Sequence, residues 1–437
     1  MPPSTATNVN LVGLAFTLVM GILILLLPRR LAIIPFLLTC CFITLGQRIN
    51  VGGFNFYMLR IVVLFGWVRV IARGEFWTLE RNIVDTCVLI FVAASFVMST
   101  VLWGMNEFFS NLGPVYNALG GYFLVRILVR DMDDVDLVLR ALCILMVPLA
   151  LAMILEKINA RNLFSLLGGV PEITMAREGR LRAQGPFAHP ILAGTFGATS
   201  LPLFIGLWFK MNSRIVATVG IAGALTVIIA SASSGPLMAC GVAILGLFVW
   251  PFRKHMRAVR WICFFSLVSL HMVMKAPIWF LIGRLSFTVG GSGWARSELI
   301  DEAIKHFGEW WLMGTTYTRH WTIDNGLIPL PDYPNMVDIT SQFILIGVNG
   351  GILPLILFIV LIALSFRAVG SAVKQMEAQP FANRFSVWAM GAAVFAYASS
   401  FLSVALFDQT IVIWYMLLAL ISSVSTSSER TLSKKNN

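Results

Sequence analysis

The chain has few charged residues. Asp, Glu, Lys and Arg make up only 12% of its 437 residues, whereas hydrophobic residues make up 58%. Soluble globular domains are typically about 25% charged, so this composition excludes that class. The apolar residues form repeated runs of roughly 17 to 25, long enough to cross the membrane as helices. The short alternating segments of a β-barrel are absent. The sequence therefore predicts an all-α polytopic membrane protein with about 12 to 13 transmembrane helices.

Cysteines are also few, and none lies in a predicted loop. All six fall inside apolar runs: Cys40, Cys41, Cys87, Cys143, Cys240 and Cys263. This placement excludes loop disulfides and cysteine metal sites. The two large polar loops, at 156–189 and 275–338, also lack an Asp-x-Asp pair of the kind that binds Mg²⁺ or Mn²⁺. We therefore predict no metal site and no cofactor.

Positive charge is not gathered into one patch. The net charge is +11, but the Lys and Arg residues lie mostly in short connectors between apolar runs, which argues against a nucleic-acid partner. If the runs alternate across the membrane, most basic connectors fall on one side, which the positive-inside rule makes cytoplasmic. The first run, 11–27, has no basic segment before it and no small-residue cleavage site after it. We predict that it is a retained span rather than a signal peptide.

Two polar intervals then lie on the outer side. The sequence divides into a transmembrane bundle at 1–274 with a short outer loop at 156–189, a long outer loop at 275–338, and C-terminal transmembrane helices with a basic cytoplasmic tail at 339–437. In the long loop, Ser297 is predicted to cap an amphipathic helix over 298–311. Trp310 and Trp311 are its predicted anchors in the membrane interface. Glycines in the apolar run 339–366 predict a bent helix.

Arginines in the outer loops oppose the charge bias of membrane insertion. The short loop carries Arg177, Arg180 and Arg182, and the long loop carries Arg284 and Arg296. Guanidinium groups stay charged and bind phosphate through two donors. This pattern predicts an anionic ligand at the outer membrane surface, with a phosphate or pyrophosphate head group as the first candidate. The alternative is that these arginines are solvated loop residues or contact lipid head groups.

Two motifs carry a resemblance to a known family. One is Asp-Ile-Thr-Ser-Gln-Phe-x5-Asn-Gly-Gly, which starts at Asp338, and the other is Arg182-x2-Gly185-x3-His189-Pro190. Together with the order of the loops, the Pro28-Arg29-Arg30 connector and Val51-Gly52-Gly53, they make most of the chain similar to the O-antigen ligase and Wzy-type polysaccharide polymerase superfamily. The chain departs from that family twice. Asp338 stands where the family usually has His-Asn, and Ser233-Ser234-Gly235-Pro236 stands where it often has Ser-Arg-Gly.

The resemblance implies a metal-independent, inverting glycosyltransferase at the periplasmic face of the bacterial inner membrane. Such enzymes transfer a glycan from undecaprenyl diphosphate to an acceptor hydroxyl during O-antigen, lipopolysaccharide or exopolysaccharide biosynthesis. The acceptor is lipid A-core for a ligase and another lipid-linked repeat for a polymerase. In the family, loop arginines hold the diphosphate: Arg182 matches the arginine of its R-x2-G-x4-P motif, and Arg284 or Arg296 matches a basic residue early in the long loop. The implied partners are the lipid-linked glycan, the acceptor glycan or lipid, membrane lipids and other polysaccharide-assembly proteins.

Two residues are candidates for the general base of such a transfer. Asp338 lies where the family keeps its His, and a carboxylate there can accept the proton of a sugar hydroxyl. It is equally suited to cap the helix that follows. His320, between Arg319 and Trp321, is the rival base. His189, which precedes a proline at a helix start, is interpreted as structural.

Two other function classes fit a polytopic membrane protein. A transporter or flippase of lipid-linked sugars would usually show internal repeats and ionisable residues at midspan. No repeat is evident here, and clear midspan charges are few. A non-catalytic component of an envelope assembly complex is the third class. The single long outer loop favours the enzyme, and the missing histidine slightly favours a polymerase over a ligase.

Overall fold

A computed structural model of the protein describes residues 10–44, 46–51, 54–284, 293–322 and 334–436. Helices make up most of this part of the chain. Seven helical stretches in it are long and apolar enough to cross a membrane, which confirms the prediction of an all-α polytopic membrane protein. These stretches are Ile83–Trp103, Met132–Asn159, Pro190–Trp208, Met211–Ala230, Trp250–Val273, Ile352–Gln375 and Gln409–Arg430.

The described residues form eighteen α-helices and two β-hairpins. The first eleven helices are α1 (Leu11–Leu26), α2 (Ile33–Phe42), α3 (Met58–Ala72), α4 (Ile83–Trp103), α5 (Phe108–Val115), α6 (Gly121–Leu128), α7 (Met132–Asn159), α8 (Pro190–Trp208), α9 (Arg214–Ala230), α10 (Ser234–Phe248) and α11 (Met256–Val273). The long loop contains α12 (Leu281–Arg284), α13 (Gly293–Lys305) and α14 (Phe307–Trp310), and the chain ends with α15 (Gln342–Gly350), α16 (Ile352–Gln375), α17 (Phe381–Ser400) and α18 (Gln409–Asn436). One hairpin pairs β1 (Arg48–Val51) with β2 (Phe54–Tyr57), and the other pairs β3 (Met175–Arg177) with β4 (Arg180–Arg182), both antiparallel. Each predicted apolar run contains a helix among the described residues, but several of these helices are shorter or less apolar than the seven, so the predicted total of about 12 to 13 spans stays a prediction.

Two helices form the centre of the bundle. α8 buries nearly all of its residues and packs against α7, α9, α10 and α17. α18 packs against α6, α16 and α17. By contrast, α11 is apolar yet has no buried residue, as expected of a helix that faces lipid on all sides. The start of α8, where the Arg182–Pro190 motif ends, is therefore surrounded by other helices.

The long loop docks onto a break in the apolar run that follows it. The predicted single bent helix is wrong, because α15 ends at Gly350 and α16 starts at Ile352. Gly351 between them has φ 78°, and a Cβ there would lie 2.4 Å from the Leu312 carbonyl oxygen. The Ile352 N–H, freed by the break, donates to the Trp311 carbonyl at 2.7 Å. The break thus fixes the end of the loop against the bundle.

The loop helix also differs from its prediction. Ser297 does not cap it, because α13 starts at Gly293 and Ser297 lies fully buried inside it. Its hydroxyl donates to the Trp279 carbonyl and accepts from the Gly283 N–H, both at 3.1 Å. Trp310 is not an interfacial anchor: it is buried in the protein, and its indole N–H donates to the Ala303 carbonyl at 2.8 Å. The loop is therefore packed as part of the protein.

Candidate functional site

The Arg182–Pro190 motif begins in the β3–β4 hairpin and ends at α8. Glu178 and Gly179, between the two strands, have φ 52° and 73°. A tight two-residue hairpin turn requires this pair of left-handed conformations. The turn fixes a register in which Arg182 lies opposite Met175, at the end of the hairpin farthest from the turn. Residues 182–189 then form what we call the motif loop, which leads into α8.

A carboxylate of α7 holds the start of the motif loop. Glu156 is buried and accepts hydrogen bonds from the backbone N–H groups of Gln184 at 3.1 Å and Gly185 at 2.8 Å. Gly185 has φ 58°, a conformation that favours glycine. This bend directs the chain from the hairpin towards α8. The glycine of the motif is thus required by the backbone.

A second carboxylate holds the end of the motif loop. Asp408, which precedes α18, accepts hydrogen bonds from the N–H groups of Ala188 and Thr410, both at 2.8 Å. Burial raises the pKa of Asp408 to about 7, although these hydrogen bonds act in the opposite direction. The motif loop is therefore tied to α7 on one side and to the α17–α18 connection on the other.

Arg182 directs its guanidinium group towards the start of α10. It is only 7% exposed, and its Nη2 donates to the Ser233 hydroxyl at 2.7 Å. That hydroxyl donates in turn to the Ser231 carbonyl at 2.9 Å. The buried Nε of Arg182 has no hydrogen-bond partner among the described residues. A buried charged donor without a partner is costly, so this atom is available to a ligand.

Arg296 approaches the same helix end from the long loop. It lies on α13 and is 9% exposed, and its Nη1 is 3.5 Å from the position that a Cβ on Gly235 would take. Gly235 is in the first turn of α10, where backbone N–H groups lack helical partners and the helix dipole is positive. The buried Arg296 Nε also lacks a hydrogen-bond partner in the described part of the chain. Two buried guanidinium groups and a helix N-terminus therefore converge in an arrangement suited to an anion.

We call Arg177, Arg182 and Arg296 the arginine cluster. Burial and then the charges of Arg177 and Arg182 lower the pKa of Arg296 to about 10. Burial and then Arg177 lower the pKa of Arg182. Arg296 stays protonated at neutral pH, so its charge persists there. The exposed carboxylate of Asp338 acts in the opposite direction on Arg296. An anionic ligand would relieve the remaining repulsion.

His189 lies beside this cluster as a neutral imidazole. Its Nδ1 accepts a hydrogen bond from the Ile191 N–H at 3.1 Å, which caps α8. Burial, followed by the charges of Arg182, Arg296 and Arg177, lowers its pKa to about 4. His189 therefore adds no positive charge at neutral pH. The structural role interpreted from the sequence agrees with this cap.

His189 makes the stability of the protein depend on pH. Between about pH 6.5 and 4 the unfolded chain binds a proton at this residue and the folded chain does not, so the contribution of His189 to folding stability falls as the pH falls, by up to about 3 kcal/mol. Asn also caps helices well but does not titrate. We expect the melting temperature to drop less between pH 7 and pH 5 in His189→Asn than in the unmodified protein. The melting temperatures are measured by tryptophan fluorescence in detergent. Equal drops in the two proteins would contradict the lowered pKa of His189.

The structure brings three of the five predicted arginines together, with Asp338 close enough to influence Arg296. Arg180 lies exposed on β4, paired with Arg177 across the hairpin. Arg284 lies at the exposed end of α12, and no hydrogen bond or ion pair joins it to the cluster among the described residues.

The suggestion that Asp338 caps the next helix is wrong, because Ser341 occupies the N-cap position of α15.

His320 lies in a separate group on the long loop. Its Nε2 is 3.0 Å from a carboxylate oxygen of Glu309, and its ring stacks on Tyr317. Glu309 also contacts His306, with 2.8 Å between the Glu309 oxygen and the His306 Nδ1. No hydrogen bond or ion pair connects this group to the arginine cluster in the part of the chain that is described. The two predicted bases thus have different surroundings.

Sequence reasoning missed the residues that position the site. Neither Glu156 nor Asp408 is predicted from the sequence as a site residue, and Ser233 enters only as part of a departure from the family pattern. A lone acid at the end of an apolar run is the signal that could have drawn attention to both carboxylates, since such a group needs buried donors.

Comparison with models of protein families and with curated proteins finds no match for this chain. The function must therefore be argued from the residues and their geometry.

Proposed function

We propose that the protein is a metal-independent, inverting glycosyltransferase at the periplasmic face of the bacterial inner membrane. It would transfer or polymerise oligosaccharide linked to undecaprenyl diphosphate in the biosynthesis of surface polysaccharide. The observation that carries this proposal is the convergence of the buried Arg182 and Arg296 on the start of α10, each with a buried Nε that has no partner among the described residues. A diphosphate on a lipid fits such a site, because it offers several oxygens close to the ends of membrane helices.

The proposed reaction uses this charge on the leaving group. The oxygen of an acceptor hydroxyl forms a bond to the anomeric carbon of the donor, while the bond from that carbon to the diphosphate oxygen breaks. The electron pair leaves with undecaprenyl diphosphate, which gains one negative charge. Arg182 and Arg296 stabilise that charge as it develops, and Arg177 adds to the positive field. The displacement occurs from the opposite face of the sugar and therefore inverts the anomeric carbon.

Asp338 is the proposed base. It is exposed, and its charge acts on Arg296, so it belongs to the same electrostatic environment as the arginine cluster. The proton of the acceptor hydroxyl passes to its carboxylate as the new bond forms. His320 is the other candidate, but it lies in the separate group with Glu309 and not in the arginine cluster. Its position before the apolar run, which made Asp338 a candidate in the sequence, is thus joined by its proximity to the arginine cluster.

The experiment that tests the function is deletion of the gene in the source bacterium, followed by analysis of the glycan that stays on the undecaprenyl carrier. Accumulation of single repeat units is expected for a polymerase, and accumulation of long carrier-bound polymers that fail to reach the surface is expected for a ligase. An unchanged carrier pool would contradict the proposal. Repeats trapped on the cytoplasmic face would indicate a flippase instead.

Complementation of the deletion strain also tests the base. Asp338→Asn keeps the size of the side chain but cannot take a proton, so we expect transfer to fall by about 100-fold or more. Glu172→Gln is the matched control, because Glu172 is an exposed carboxylate of the short outer loop. Wild-type transfer by Asp338→Asn at equal protein levels would remove Asp338 from the mechanism.

A further inference from the structure

His306, Glu309 and His320 form a compact group on the long loop, which we call the histidine cluster. One carboxylate oxygen of Glu309 lies 2.8 Å from His306 Nδ1 and 3.1 Å from His320 Nε2. One ligand atom from each of the three side chains lies within 4.8 Å of the others. All three side chains are partly exposed, so the group can be reached from solvent.

These distances suit a transition-metal ion. Ligand atoms around a tetrahedral Zn²⁺, at about 2.1 Å from the metal, lie about 3.4 Å from one another. The contacts of Glu309 with the two imidazoles are slightly shorter than this, so a small outward movement of the side chains would admit the ion. Two imidazoles and one carboxylate are ligands that Zn²⁺ accepts, and a three-residue set leaves the fourth position to water.

A further carboxylate, that of Glu302, lies next to the second ring nitrogen of His306. Glu302, one turn before His306 on the loop, is 9% exposed, and its Oε2 lies 3.4 Å from His306 Nε2. Its other oxygen is 2.9 Å from the Lys305 ammonium group. An imidazole that binds metal through one nitrogen usually donates its other N–H to a carboxylate, which orients the ring. Glu302 is in position to do this for His306.

We propose that the histidine cluster binds a Zn²⁺ ion, with His306 Nδ1, His320 Nε2 and the Glu309 carboxylate as ligands. The ion would join the α13–α14 segment to the turn at Arg319–Thr322, two parts of the long loop that are otherwise connected by hydrogen bonds and ring contacts. This inference does not rest on the proposed glycosyl transfer. It has one consequence for that reaction: an imidazole nitrogen bound to Zn²⁺ cannot accept a proton, so His320 would be excluded as the base.

The test uses the full-length protein in detergent, stripped with a chelator and then supplied with Zn²⁺ alone. We expect one equivalent of zinc to remain bound after gel filtration. X-ray absorption should show two histidine nitrogens among the ligands, at about 2.0 to 2.1 Å. Co²⁺ in place of Zn²⁺ should give the visible absorption bands of a tetrahedral site. Failure of the wild-type protein to retain zinc would overturn the proposal, and so would a spectrum without histidine ligands.

Variants identify the ligands. His306→Ala, Glu309→Gln and His320→Ala should each lose the retained equivalent, and Glu302→Gln should weaken binding by about 10-fold or more. His255→Ala and Glu172→Gln are matched controls, because each removes the same kind of group away from the cluster and should keep the equivalent. Retention of zinc by both His306→Ala and His320→Ala would overturn the assignment.

Discussion

Replacing Arg182 with Ala is expected to lower glycan transfer by about 100-fold or more without lowering the melting temperature. The loss follows because the guanidinium group is proposed to stabilise the departing diphosphate. The stability should hold because Arg182 is a buried cation whose pKa is lowered by burial and by Arg177, so removing it relieves repulsion within the arginine cluster. The lost hydrogen bond to the Ser233 hydroxyl offsets only part of that gain in stability.

The combination of the two effects separates a binding role from a structural one. An arginine that holds the fold together would lose stability and activity in parallel, whereas a ligand-binding arginine loses activity alone. Arg182→Lys tests the geometry, because Lys keeps the charge but not the bidentate donors, and we expect an intermediate loss. Arg161→Ala is the control, since Arg161 lies in the same loop, 156–189, in an exposed ion pair with Glu172.

The measurement pairs transfer from a lipid-linked donor with thermal unfolding of the same preparations. Full transfer by Arg182→Ala would remove the diphosphate role of this residue. A large fall in melting temperature would instead assign Arg182 to the scaffold of the motif loop.

Helix positions could largely be predicted from the sequence, because a membrane-spanning helix needs only a local property, a sufficiently long apolar run. The break at Gly351 could not, because the backbone groups that contact it, the carbonyls of Trp311 and Leu312, lie in another part of the chain. Nothing in the local spacing of the run 339–366 distinguishes a bend from a complete interruption.

The start of the loop helix α13 and the surroundings of Trp310 also could not be predicted from local sequence. A serine before an amphipathic pattern is a sound signal of a helix start. Ser297 satisfies its hydrogen bonds inside the helix and with Trp279, which lies earlier in the loop. Trp310 was assigned to the membrane interface because tryptophan favours it, but the Ala303 carbonyl provides a partner for its indole within the protein.

The sequence predicts which residue types form the candidate site, but not how they come together in space. Arginines in loops that the sequence places on the outer side oppose the insertion bias, and this local anomaly predicts five candidates, among them Arg182 and Arg296. Their convergence at the start of α10 depends on how the short and long loops pack against the bundle. The anchoring roles of Glu156 and Asp408 depend on backbone donors far away in the sequence, which a single sequence does not reveal.

Loss of the buried carboxylate of Asp85 is expected to destabilise the bundle strongly. Asp85 is fully buried at the start of α4 and accepts hydrogen bonds from Arg126 Nε at 2.8 Å and Nη2 at 3.0 Å. It also accepts from the hydroxyls of Tyr122 at 2.6 Å and Ser422 at 2.9 Å. One carboxylate thus joins α4, α6 and α18, and Arg126 is only 4% exposed.

Asp85→Ala leaves the Arg126 charge buried without its counter-ion, and breaking such a pair typically costs about 3 to 5 kcal/mol. We expect a much lower melting temperature in detergent and a lower yield of membrane-inserted protein. Glu377→Gln is the control, because the Glu377–Lys254 pair is exposed and should contribute little.

A double variant identifies the cause. In Asp85→Asn combined with Arg126→Met, no charge is left unpaired, and Asn can still accept from Tyr122 and Ser422. We therefore expect this variant to be more stable than Asp85→Ala, because the dominant cost is the uncompensated cation rather than the loss of side-chain volume. If the double variant is as unstable as Asp85→Ala, the cost lies in the hydrogen-bond network or in packing. If Asp85→Ala unfolds at the wild-type temperature, water must reach Arg126, and the junction of α4, α6 and α18 is less tightly closed than its burial indicates.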